Sequence, residues 1–165
     1  MKEIQVAILM GSDSDYGVMQ RVEETLKGFG ITFETRVLSA HRTPKQTVQF
    51  IKSAVKAGVK VFIAGAGGAA HLPGVIASHT ILPVIGIPIL GKATNGLDSL
   101  LSIVQMPSGV PVATVAVDGA TNAALLSIQI MAISNTDLSK KLSEYKKKME
   151  RDVLKKNQNL KRIVK

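Results

Sequence analysis

The chain has 165 residues, no cysteine and a formal net charge of +9. That length fits one domain with a full core, and the missing thiols exclude a disulfide framework and any cysteine-ligated metal. From Lys140 onward there are 11 Lys/Arg and 3 Asp/Glu, the preceding 139 residues are near neutral at +1, and aromatics make up 4%, so the charge reads as a solvated helix and tail and not as a surface that stacks nucleic-acid bases.

In chain order, Ile4 to Met10 reads as a buried first strand. Gly11-Ser12-Asp13-Ser14-Asp15 then makes a turn and helix start. Val18, Met19, Val22 and Leu26 share one helical face, with Gly28 and Gly30 as stop signals. Ile31 to Leu38 is the second strand and leads into Ser39-Ala40-His41-Arg42-Thr43-Pro44. Thr43 suits a helix N-cap and Pro44 the first helical position, where its missing N–H costs nothing. Val48, Ile51 and Val55 give that helix its apolar face, and Gly58 ends it.

Val59 to Ala64 is the third strand, entering the loop Gly65-Ala66-Gly67-Gly68-Ala69-Ala70-His71. A short helix over Leu72 to His79 follows, then a fourth strand at Pro83 to Ile87. The loop Gly91 to Gly96 leads to a helix over Leu97 to Gln105. Val112 to Val117 is the fifth strand, Asn122 to Ile133 a helix apolar on nearly every side, and Thr136 to about Lys156 the last helix. Very apolar strands alternating with helices predict an α/β fold, a parallel sheet covered on both faces. With right-handed crossovers this is a three-layer, doubly wound, flavodoxin-like sheet of about five strands with a C-terminal helix. We expect one domain over 1–165, with a core at 4–134 and the helix and basic tail at 136–165. Apolar runs end well short of the roughly 20 residues that span a membrane, and no targeting segment is evident, so a cytoplasmic chain with no membrane or nucleic-acid partner is expected.

The chemistry concentrates in three loops at strand carboxyl ends, where open α/β sheets bind ligands. Gly11 to Asp15 offers backbone N–H groups and the hydroxyls of Ser12 and Ser14 to a phosphate or sugar. Asp15 suits a ribose diol, since a carboxylate accepts hydrogen bonds and repels phosphate; capping the helix is the competing role. His41 can gain and lose a proton near neutral pH, beside the permanent cation of Arg42. The Gly/Ala loop lacks the Lys-Ser/Thr of a Walker loop, and Ala70 stands where a dinucleotide fingerprint needs glycine. Small residues there let a ligand approach the backbone. His71 either orients a substrate or serves the next helix, and His79 reads as structural within the Leu72–His79 helix. The three histidines lack metal-ligand spacing, so no metal is expected.

These motifs, with LDSLLSIVQMPSGVPVATVAV (Leu97 to Val117) and NAALL (Asn122 to Leu126), resemble the class I PurE family, the 5-(carboxyamino)imidazole ribonucleotide mutases of purine biosynthesis, from about Val6 to Ile133. The class II sister enzymes use free carbon dioxide and carry a Lys after the loop histidine, where this chain has Arg42. The resemblance implies an isomerisation that moves a carboxylate from the exocyclic nitrogen to the neighbouring ring carbon. His41 would be the general acid/base. Ser12, Asp15 and Arg42 would bind the ribose phosphate and Gly67, Gly68 and Ala69 the migrating carboxylate, with Gly11, Ser39 and His71 completing the substrate-binding set. No cofactor is implied, and the partner is a small ribonucleotide in a homo-oligomer, an octamer by family analogy. Two stretches depart from the family pattern. Val117 to Asn122 is shorter than the usual Ile-Gly-Lys-Ala-Gly-x-x-Asn, and Gly91 to Gly96 replaces an expected Leu-Ser-Gly. The competing readings are a carboxylase using free carbon dioxide, a non-catalytic nucleotide or flavin module, and a basic nucleic-acid binder.

Overall fold

A computed structural model describes residues 4–163; Met1 to Glu3 and the last two residues of the basic tail lie outside the described residues. The chain falls into two compact units, Met1–Ser127 and Ile128–Lys165. The first unit holds a five-stranded parallel sheet: β1 (Val6–Met10), β2 (Phe33–Val37), β3 (Val61–Ala66), β4 (Val84–Pro88) and β5 (Ala113–Thr114), in the order β2-β1-β3-β4-β5. This is the doubly wound, flavodoxin-like order, in which the connections reverse direction between β1 and β3.

The pleat sorts the strand residues onto two faces. Ala7 and Leu9 of β1 and Phe62, Ala64 and Ala66 of β3 pack with Ile51 and Ala54 of α2 (Pro44–Lys56), Leu72 and Ile76 of α3 (Leu72–Ala77) and Ile103 of α4 (Leu97–Val104). The alternate residues Ile8, Met10, Ile63 and Gly65 face the other way, where Met19 of α1 (Tyr16–Phe29) crosses Gly65 closely enough that a Cβ there would collide with its sulfur. Ile8, Ile63 and Ile85 are wholly buried, and each such side chain stabilises the fold by about 1.5–3 kcal/mol relative to exposure.

The expected elements are present, and their ends shift for identifiable reasons. The α1 helix runs through Gly28 and stops at Gly30, whose φ of +78° admits the left-handed cap. The Ile31 amide then donates to the Leu26 carbonyl, so Ile31 is captured by the helix end and β2 starts at Phe33. Thr43 does stand before Pro44, but its side chain makes no cap bond and turns back to Ser39. The α3 helix ends at Ala77, which leaves His79 exposed in the following turn and not inside a helix. At the sheet edge, β5 keeps only two of the six expected residues: beyond the Gly86–Thr114 pair the chain keeps separate bonds to β4, from the Val115 amide to the Gly86 carbonyl and from the Asp118 amide to the Pro88 carbonyl.

The α5 helix (Ala120–Ala132) begins two residues earlier than expected. In the second unit α6 (Thr136–Ile163) runs beyond the expected Lys156. The Asn135 side-chain oxygen accepts from the amides of Asp137 and Leu138 and caps it. Its lysines from Lys140 to Lys156 are exposed, as the composition predicts.

Candidate active site

Three loops at the carboxyl ends of β1, β2 and β3 enclose one cavity of about 380 Å³. Gly11, Ser12 and Asp15 line it from the first loop, Ser39, Ala40, His41 and Arg42 from the second, and Ala66, Gly67, Ala70, His71 and Leu72 from the third. It sits beside the β1/β3 reversal, where strand connections diverge and leave a crevice.

The second loop is built by its own hydroxyls. Thr43 Oγ1 accepts from the Ser39 amide at 2.8 Å and donates to the Ser39 carbonyl at 3.1 Å. Thr47, wholly buried in α2, donates to the Thr43 carbonyl at 2.9 Å. The Ser39 hydroxyl accepts from the Arg42 amide at 3.2 Å. These bonds hold His41 and Arg42 outward at the mouth of the cavity, both exposed. One Arg42 Nη2 donates to the Gly11 carbonyl at 2.7 Å, tying the first and second loops together. An arginine has five donors in a fork, so most of it is left for an anion.

The His41 Nε2 lies 2.6 Å from the His71 Nδ1, and the rings meet edge to face with centroids 4.8 Å apart. At that separation one nitrogen must donate and the other accept, so the tautomers of the two rings are linked. His71 therefore reaches the acid/base candidate directly. It is the N-cap residue of α3 by position, but its side chain makes no cap bond.

The third loop turns sharply after Gly67. Gly68 has φ of +60°, Ala70 follows in the left-handed region at +44°, and the Ala70 amide closes the turn on the Gly67 carbonyl at 3.1 Å. Gly67 forms cavity wall. Gly68 and Ala69 stand at the exposed tip of the turn and do not line the cavity. The structure thus brings together Gly11, Ser12, Asp15, Ser39, His41, Arg42, Gly67 and His71, and leaves Gly68 and Ala69 at the edge. It adds Ala40, Ala66, Ala70 and Leu72, small or apolar wall residues that no donor–acceptor argument selects; the AGAGGAAHL run was the available signal for the last three.

Asp15 is half-buried at the cavity, and its carboxyl is pushed above the ordinary range. Burial is the main cause. The Ser14 hydroxyl bond opposes it, and the neighbouring charges of Asp118 and Asp13 add to it. Among the described residues no group of three or more His, Cys, Asp or Glu could hold a metal ion, and no helix is long and apolar enough to cross a membrane.

Residues 5–152 match the family model described as AIR carboxylase. The N5-carboxyaminoimidazole ribonucleotide mutase of Saccharolobus solfataricus is 59% identical, over 91% of this chain and 95% of that protein. The mutase of Pyrococcus horikoshii is 57% identical, over 94% of this chain and 88% of that one. Among solved structures, PurE of Treponema denticola superposes with a TM-score of 0.85 at 30% identity, covering 92% of this chain and 94% of that one.

Proposed function

Because the chain belongs to the AIR carboxylase family, we propose that it is a mutase of purine biosynthesis, converting 5-(carboxyamino)imidazole ribonucleotide to the ring-carboxylated 4-carboxy-5-aminoimidazole ribonucleotide. The observation that carries the reading within the site is the meeting of an imidazole, a guanidinium and a bare Gly/Ala wall around one small cavity. That set matches a reaction needing a proton carrier, an anion anchor and a place to hold carbon dioxide.

The proton count follows from the bonds. The N–C bond of the carbamate breaks, carbon dioxide is released, and the exocyclic nitrogen takes a proton from His41. The ring carbon then attacks carbon dioxide and forms the new C–C bond. His41 takes back the proton from that carbon, which restores the aromatic ring. No proton is gained or lost overall, so one acid/base group suffices. Arg42 and the Gly11–Ser12 loop hold the phosphate, Asp15 accepts from the ribose hydroxyls, and Gly67 holds the carboxylate at the cavity wall, with Gly68 and Ala69 forming the turn that places it. Closeness of carbon dioxide to the ring replaces a second-order encounter.

The mutase is a homo-oligomer, an octamer by family analogy. In support, α4 exposes Leu97, Leu101 and Val104 along one face, and α6 exposes Met149, Val153 and Leu154. An apolar surface of that kind rarely persists on a monomer, and light scattering coupled to size exclusion measures the mass.

The deciding experiment compares the two candidate substrates. The mutase turns over the carboxyamino ribonucleotide and is slow with aminoimidazole ribonucleotide plus bicarbonate. Preference for the second pair would make the protein a carboxylase.

A further inference from the structure

The shortened stretch after β5 puts Asp118 in a position the reaction does not explain. Asp118 is a non-glycine residue in the left-handed region, with φ of +54°. Its amide donates to the Pro88 carbonyl at 2.8 Å, and its carboxylate Oδ1 accepts from the Leu90 amide at 2.9 Å. One residue therefore grips the backbone on both sides of Ile89. Strand pairing cannot do this, because β5 has already stopped at Thr114.

Ile89 is fixed from its other sides too. Its amide donates to the Ala66 carbonyl at 2.9 Å, and its carbonyl accepts at 2.9 Å from the hydroxyl of Ser99, which is wholly buried. Ile89 in turn backs the cavity wall. A Cβ built on Gly67 would stand 3.6 Å from the Ile89 Cβ and 3.8 Å from its carbonyl oxygen, ordinary van der Waals contact. Gly67 thus turns its bare side toward Ile89, and the Ile89 amide holds the peptide that joins Ala66 to Gly67 by its carbonyl.

We propose that Asp118 is a positioning residue for the carboxylate pocket: by clasping the chain on either side of Ile89 it keeps the Ile89 amide on the Ala66 carbonyl behind Gly67, and so fixes the wall that confines carbon dioxide. The proposal rests on the mutase reading. It adds a residue that touches no substrate and acts on the trapping step. A wall that recedes lets carbon dioxide escape before the ring carbon attacks, so the free amine leaves as a side product.

Two variants separate the clasp from other effects. Asp118→Gly keeps the left-handed backbone without strain but removes the acceptor for Leu90. Asp118→Asn keeps an acceptor oxygen and tolerates the same backbone. Each is compared with the wild type in kcat, KM, the fraction of consumed substrate released as aminoimidazole ribonucleotide above the uncatalysed background, and amide exchange over residues 66–70 and 89–91. For Asp118→Gly we expect kcat to fall on the order of tenfold or more, as displaced walls cost rate steeply, with a raised amine fraction, faster exchange in both segments and little change in KM. Asp118→Asn restores the amine fraction and the exchange. An Asp118→Gly protein with wild-type kcat and amine fraction overturns the proposal, as does unchanged exchange over 66–70. A folded wild type with no mutase turnover overturns the mutase reading; faster exchange in Asp118→Gly then still supports the clasp.

Discussion

Arg42→Ala separates anchoring from chemistry. Arg42 is exposed and its strongest protein contact is the 2.7 Å bond to the Gly11 carbonyl. That bond bridges two solvent-facing loops, so its loss costs the fold no more than about 1 kcal/mol. The larger loss falls on the ligand. A charge-assisted hydrogen bond to phosphate contributes about 1.5–3 kcal/mol, and each 1.4 kcal/mol is roughly a factor of ten in affinity. Arg42→Ala should therefore weaken ribonucleotide binding about 10- to 150-fold, with kcat changing much less. Arg42→Lys should recover part of the loss, since a point charge replaces a fork that can serve Gly11 and a phosphate together. Titration calorimetry with the ribonucleotide product, beside KM and kcat for all three proteins, reads the split. Normal binding by both variants would refute the phosphate role, and a kcat loss without weaker binding would place Arg42 in the chemical step.

Removing the proton carrier acts the other way: His41→Asn should lower kcat by roughly 10²–10⁴ while the product dissociation constant stays within about tenfold, and near wild-type turnover would take His41 out of the mechanism. Asp15 links affinity to pH. Its carboxyl is held above the ordinary range, chiefly by burial, so protonation weakens ribose binding at a pH higher than for an ordinary carboxylate, and KM should rise as pH falls through that raised value. The same shift has an opposite sign for stability. Between the ordinary carboxylate value and the raised one the folded state binds more protons than the unfolded state, so stability falls as pH rises through that window. Asp15→Asn should therefore gain in melting temperature relative to wild type as pH rises from about 4 to 7, and parallel curves would contradict the shift. Thr47→Val removes a buried donor to the Thr43 carbonyl, which should cost about 1 kcal/mol and lower the melting temperature by roughly 2–4 °C, measurable by calorimetry.

The loops were legible because their chemistry is local. Ser39 to Pro44 combines a proton carrier, a cation and a helix start within six residues, and the all-apolar strands Val6–Met10 and Val61–Ala66 announce burial on both faces. Element ends were less legible, since they depend on partners. Ile31 carries strand propensity, yet the cap of α1 takes its amide. Val115 to Val117 alternate and branch like a strand, yet registered pairing with β4 stops at Thr114, and the backbone bonds beyond it run only from Val115 to Gly86 and from Asp118 to Pro88. Thr43 has the residue type of an N-cap, and its hydroxyl bonds back to Ser39 instead.

Within the site the sequence named most of the groups but not their relations. Composition and periodicity determine that this chain makes a parallel α/β sheet with reactive loops at one end, because hydrophobic pattern and turn chemistry act over a few residues. Only the tertiary structure decides that His41 and His71, 30 residues apart, face each other at 2.6 Å, that Arg42 reaches Gly11, and that Asp118 clasps the chain on both sides of Ile89 behind Gly67. Those contacts arise where separate strands end side by side, and strand order and register are set by the packing of the whole sheet, which no local stretch of sequence encodes.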